Sequence, residues 1–403
     1  MSADIQHADI SEETVATISD RFDEPDWLRE QRLEALEALP TLDLPPVIKT
    51  PGRRWTNLTD LDFEELVEPL DATEEKDQVG PSEVEVLPFA EALADRPELV
   101  RKYFGEVIAP TENYLTALST ALFTTGTVVY APEGVQADDV TIRTRMHSQS
   151  LFNYTLVITE PSSEVTILER QSTGTTRGES QYYSGLVEIA ADNNSNVQYG
   201  SLQDLDETTY NYTLKRGETS RDATIDWIEC NLGSRLTKSA VETTLDGKGS
   251  ETKIVGAFFG HNDQHLDVNS RVWHRNEQTA ADLVTRGVLD DEARSVYEGV
   301  QHVGREAWHT NSYQRENTLM LSDESEADAS PKLIINNHET EASHSATVGQ
   351  IDREDLFYMS SRGLDERTAT NMLVEGFFEP VYEEIAVDEL REDLRSRIVE
   401  RLP

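Results

Sequence analysis

Histidine is the most concentrated chemistry-bearing residue of the chain. His261, His265, His274, His302, His309 and His338 fall between Gly260 and Thr340, and His344 lies just beyond. An imidazole nitrogen can ligate a transition metal or carry a proton near neutral pH. His261 and His265 have the i, i+4 spacing of a zinc-binding helix, but they straddle turn residues in Gly260-His-Asn-Asp263 and lack the accompanying glutamate. The plainer reading is a set of polar strand and turn residues, each with its own hydrogen bonds, although neighbouring coils of chain could still bring some together. Cys230 is the only cysteine, which excludes an internal disulfide and any cluster held by several thiolates of this chain. It ends the apolar stretch Ile225-Asp-Trp-Ile-Glu-Cys, where a thiol is ordinarily a small core residue; a sulfur-carrying role would need exposure and a lowered pKa.

Other reactive patterns are missing. Gly247-Lys-Gly-Ser250 and Gly174-Thr-Thr-Arg-Gly-Glu-Ser180 lack the order of glycine, lysine and hydroxyl that cradles a nucleotide phosphate, so ATP hydrolysis by this chain is not expected. There is no Gly-x-Ser-x-Gly elbow. The acidic turn Asp323-Glu-Ser-Glu-Ala-Asp-Ala-Ser-Pro331 lacks the glycine and closing glutamate of a calcium-binding loop and reads as a solvated turn.

Charge narrows the partners. The 403 residues carry 77 Asp and Glu against 35 Lys and Arg, a formal net charge of −42. Binding to phosphate backbones or anionic membranes gains its energy from Lys and Arg, so neither nucleic acid nor a membrane is an expected partner. The basic residues are about 27 arginines and about eight lysines, a bias compatible with adaptation to high salt, where screening relieves the surface repulsion. An ordinary acidic protein is the duller alternative. The beginning of the chain has neither a basic n-region nor an apolar h-region, and no run approaches the ~18 apolar residues of a membrane span. A cytoplasmic protein is therefore expected.

The elements that must position these residues fall into three regions. Residues 1–125 read as helices and loops, with an apolar stripe of Trp27, Leu28, Ala35, Leu36 and Leu39, an exposed loop over Ala72–Ser82, and a helix around Glu112–Phe123. Residues 126–349 are short Val-, Ile-, Thr- and Tyr-rich strands recurring about every 10 to 16 residues without intervening helices, a pattern that fits a sandwich, a barrel or a β-solenoid. The length of the run favours the solenoid, whose coils can stack without a size limit, with the flanking helical regions available to cover its end edges. Residues 350–403 return to helix. Asp352 is placed as an N-cap, Gly363 as a helix end, and Leu364-Asp365 as the start of a helix with Ala369, Met372, Leu373 and Phe377 on one side before Pro380. A last two-faced helix is carried by Leu390, Leu394 and Ile398.

The stretch Ser312–Phe377 resembles the SufB/SufD family of iron-sulfur cluster assembly proteins, on its SufD side. The residues that carry the resemblance are Leu319-Met-Leu-Ser322, Pro331-Lys-Leu-Ile-Ile335, Ala342-Ser-His-Ser-Ala-Thr-Val-Gly349, Leu356-Phe-Tyr-Met-Ser-Ser-Arg-Gly363 and Gly376-Phe377. Weaker similarity extends through Gln264-His-Leu-Asp267, His274, Glu298-Gly-Val300 and Arg54-Trp55.

The resemblance implies a mainly β fold, a right-handed parallel β-helix flanked by helical N- and C-terminal regions. It also implies a non-enzymatic scaffold subunit that pairs with a SufB-like chain and engages a SufC-like ABC-type ATPase through the C-terminal helices, with a homodimer possible in isolation. No cofactor is expected to stay on this chain alone. A transient iron-sulfur cluster would form with the SufB-like partner at the subunit interface, where the family's histidine corresponds to His344. Here Ala342 stands where cysteine is frequent and Ser345 where glycine is, so this motif offers imidazole and no thiolate. A SufB-like paralogue is the nearest alternative, at odds with a single cysteine. A β-helix enzyme acting on acidic polysaccharide is the more distant one, disfavoured by the absence of clustered basic groove residues.

Overall fold

The computed structural model describes residues 10–48, 56–175, 180–385 and 387–402; the Arg54-Trp55 motif falls outside them. From Thr125–Ala131 to Thr340–Gln350 the chain alternates between two nine-stranded sheets, each strand pairing in parallel with the one two positions earlier. This is a β-solenoid of about eight turns. Parallel strands covered on both faces are near-continuously apolar or small, and Ser150–Thr159 is buried along its whole length. Inside, Val140, Ile142, Val165, Ile167, Val197, Tyr199, Ile225, Trp227, Ile254 and Leu283 stack rung upon rung into one apolar column.

At the N-terminal end both sheets are finished by antiparallel strands. Glu74–Val79 pairs with Gln136–Met146, and Glu85–Pro88 with Thr125–Ala131. This corrects the expected loop over Ala72–Ser82. The sequence Glu-Glu-Lys-Asp-Gln-Val has little intrinsic strand preference, and the strand exists because the first rung offers an open row of backbone donors and acceptors. The helix Tyr114–Leu122, capped by Asn113 and buried at every residue, packs between these first turns and the helix Asp26–Ala38. Arg32 is buried there and forks onto Glu24, with its remaining donors on the carbonyls of Thr120, Ala121 and Phe123.

The C-terminal helices do not cover the other end. Glu366–Glu384 and Asp388–Arg401 lie along the flank of one sheet, pressing Val374, Phe378, Val381, Tyr382, Leu390, Leu394 and Ile398 onto Leu168, Leu202, Ile228, Val255, Phe259 and Val288. The first of these helices continues through Pro380, where the sequence reading ended it, and buries Val374 and Phe378 while Met372 stays exposed. Proline removes one intrahelical donor. Arg286 reaches the same turn from the sheet, donating to the adjacent Phe377 carbonyl at 2.6 Å and lying over its ring. With the helices on the flank, the final strands Glu326–Ile335 and Thr340–Gln350 end their sheets with bare edges.

Candidate functional site

Strand register fixes what the bare end displays. In Thr310–Met320, Thr310, Ser312, Gln314, Glu316 and Thr318 are buried and face the lumen, alternating with exposed or half-buried residues. The terminal strand pairs with it in parallel so that Thr340, Ala342, His344, Ala346 and Val348 stand over those five in turn. His344 therefore lies on the lumen face of the last rung, directly above Gln314, flanked by two alanines. It is exposed and has no hydrogen-bonding partner among the described residues.

Beneath it the lumen is polar. Gln314 is 1% exposed, yet neither its Nε2 nor its Oε1 makes a hydrogen bond of good geometry. A β-carbon on Gly299 would stand 1.6 Å from Gln314 Nε2, so the amide reaches across the lumen only because position 299 has no side chain. Glu316 accepts from Thr318 with one carboxylate oxygen, while its Oε2 has no partner. Burial raises the Glu316 carboxyl to about 7. One turn further in, Gln301 accepts from Ser312, donates to the Tyr313 carbonyl at 2.7 Å and meets His274 at 3.3 Å. His274 is completed by Thr279 at 2.8 Å, and burial lowers it to about 4.

The other histidines are dispersed. His265 bridges Thr56 and Arg294, at 2.8 and 2.7 Å, and burial lowers it to about 4. His261 pairs with Glu207 at 2.8 Å in a flank groove of about 690 Å³ that also holds Asp204 and Arg401. His302 meets Asn336, and His309 meets Glu339 from a left-handed turn position. His338 is exposed. Among the described residues no three His, Cys, Asp or Glu side chains converge as a metal site. Cys230 is buried beneath the C-terminal helices, where desolvation and the neighbouring Glu229 raise its thiol far above the ordinary range, the surroundings of a core thiol and the opposite of the exposure and lowered pKa that sulfur transfer needs.

Sequence reasoning singled out His344 and missed Gln314 and Glu316. The available signal was the polar alternation Ser312, Gln314, Glu316, Thr318 along one strand, which is uninformative until register shows that this face points inward.

The fold is thus a parallel β-solenoid with helices docked on its flank and one polar end left open. The chain matches the family described as SUF system FeS cluster assembly, SufBD core domain, over residues 141–377, and the SufBD protein N-terminal region over residues 68–142. The chain belongs to the SufBD family of iron-sulfur cluster assembly proteins. An iron-sulfur cluster assembly SufBD family protein of Staphylococcus saprophyticus is 27% identical, with 94% of this chain and 90% of the relative aligned. A Staphylococcus aureus member is 26% identical over the same shares. No helix among the described residues is long and apolar enough to cross a membrane.

Proposed function

We propose that the chain is the SufD-like, non-catalytic subunit of an iron-sulfur cluster assembly complex. It pairs through its open solenoid end with a SufB-like chain and works with a separate SufC-like ABC-type ATPase. The observation that carries this reading is the bare final rung: two strand edges unpaired among the described residues, with half-exposed Ile334, Ile335 and Val348, and on the inner face a His344 without a hydrogen-bonding partner among those residues. An exposed strand edge invites strand addition, and a second solenoid of the same rise would extend both sheets and bury the apolar rim. In isolation the same edge accepts a second copy of this chain.

In this reading the nascent cluster is cargo at the junction. The chain contributes imidazole nitrogen from His344, and thiolate comes from the partner, since Ala342 occupies the motif's usual cysteine position. That the sequence carries no phosphate loop supports leaving ATP hydrolysis to the third subunit. The single buried thiol favours the SufD-like over the sulfur-accepting SufB-like role, and in this reading the complex acts in the cytoplasm.

The test is to co-express the chain with SufB-like and SufC-like partners, purify the complex anaerobically, and measure cluster yield for wild type and His344→Ala on the same preparations. An intact complex that has lost cluster formation is the expected result. Full yield from the variant complex refutes the role of His344, and failure to recover any complex refutes the pairing.

A further inference from the structure

The open end displays more than His344. Because Ala342 and Ala346 flank the histidine, only methyl groups stand over Ser312 and Glu316 in the ladder, and the column above the Glu316 carboxylate is left uncrowded. Among the described residues Glu316 keeps one oxygen without a partner, and the amide of Gln314, between it and Ser312 on the lumen face, has only the Tyr297 hydroxyl opposite it and no hydrogen bond of good geometry. Unsatisfied buried carboxylate and amide groups are costly unless something outside the chain completes them. Strand spacing and rise put residues offset by two positions on adjacent parallel strands, here His344 and Glu316, roughly 8 Å apart at their α-carbons, within reach of two long side chains converging on one point.

We propose that Glu316 supplies a second donor beside His344, so that a carboxylate oxygen and an imidazole nitrogen of this chain together hold one iron(II)-class cation at the open end. The proposal rests on the reading that His344 faces the assembly junction. Nitrogen and oxygen donors suit iron(II), and two donors from one chain leave the remaining positions to the partner or to water. Gln314, directly beneath the histidine, is the positioning residue: its amide oxygen can accept from the ring N–H that does not face the cation and so fix the tautomer.

The experiment uses the full chain under anaerobic conditions, titrated with cobalt(II) as a spectroscopic probe of nitrogen and oxygen donors and then with iron(II). Wild type binds one equivalent, and both Glu316→Gln and His344→Ala weaken binding at least about tenfold. Glu316→Asp, which keeps the carboxylate, recovers part of the affinity, and thermal melts confirm that each variant is folded. Equal binding by wild type and folded Glu316→Gln, with His344→Ala still impaired, overturns the role of Glu316 and leaves that of His344 standing. Absence of binding by wild type, or indifference to both substitutions, overturns the two-donor site, while cluster yield in the His344→Ala complex separately judges the functional reading.

Discussion

Gly200 and Leu390 share one space: a β-carbon on Gly200 would stand 2.5 Å from Leu390 Cδ2. The missing side chain in the strand Asn196–Asp204 is what lets the last helix settle on the sheet. Gly200→Ala is expected to cost about 1–3 kcal/mol through overpacking, and Leu390→Ala about 2–5 kcal/mol through the cavity it leaves. In the double variant the new methyl enters that cavity, so denaturant unfolding should show a combined loss smaller than the sum. Simple additivity would mean that the helix does not depend on this contact.

Such contacts were hidden in the sequence, whereas the repeat that frames them was legible. Strands recurring without helices, with turn clusters such as Asp246-Gly-Lys-Gly-Ser250, announce coils, and Leu390, Leu394 and Ile398 announce a helix with one buried face. Where that face docks depends on outward-facing residues such as Leu168, Leu202 and Ile228, separated by a full coil or more in sequence. Glu74–Val79 was unreadable for a related reason, since its pairing is supplied by the edge of another strand. His344 was named from its motif, and its place on the last rung came only with the register. Gln314 and Glu316 were not, because a one-residue change of register would have turned both to solvent.

Lys215 and Glu229 form an ion pair inside the solenoid at 2.6 Å, with Ser201 and Ser239 hydrogen-bonded to the two ends. Lys215→Met leaves a buried carboxylate without its cation and is expected to cost about 3–5 kcal/mol, whereas an apolar pair such as Lys215→Met with Glu229→Leu recovers most of the loss. Chemical denaturation of the two variants checks this. A single variant as stable as wild type would show that the pair contributes nothing to stability.

His265 and His274 give the stability a defined acid dependence. Both are lowered to about 4 by burial, from an ordinary value near 6.5, so the unfolded chain binds protons first as pH falls. Their contribution is complete above about 6.5 and is lost progressively down to about 4. Glu188, raised to about 7 by burial, acts with the opposite sign over the range between its unfolded value and 7, so the comparison must be between variants. His274→Gln should be less stable than wild type at pH 7.5 and lose less on going to pH 5, measured by melting temperature. A parallel drop in the two proteins would remove His274 from the acid response.

A formal charge of −42 predicts stability and association that rise with salt. At 0.01 M the Debye length is about 30 Å, so carboxylates repel across the whole molecule, and at 1 M it is about 3 Å. Melting temperature and recovery of the complex should both increase across that series. Melts that are flat with added salt would leave the acidic surface without a stabilising role in brine.

The helix Arg353–Ser361 buries no residue, and its Phe357 and Tyr358 are 76% and 59% exposed, an uncommon display of two adjacent aromatic rings. Apolar rings left in water contribute little to the fold and most of their potential burial to a partner. If the proposed complex is right, these rings on the C-terminal helical region are the surface that would receive the ATPase, and the solenoid end the one that would receive the SufB-like chain. Phe357→Ser with Tyr358→Ser should therefore shift the stability of this chain by no more than about 0.5 kcal/mol. The same pair should sharply reduce recovery of the ATPase in pull-downs and leave recovery of the SufB-like chain unchanged. Loss of both partners together would place the rings at the solenoid junction, and loss of neither would leave them outside the complex.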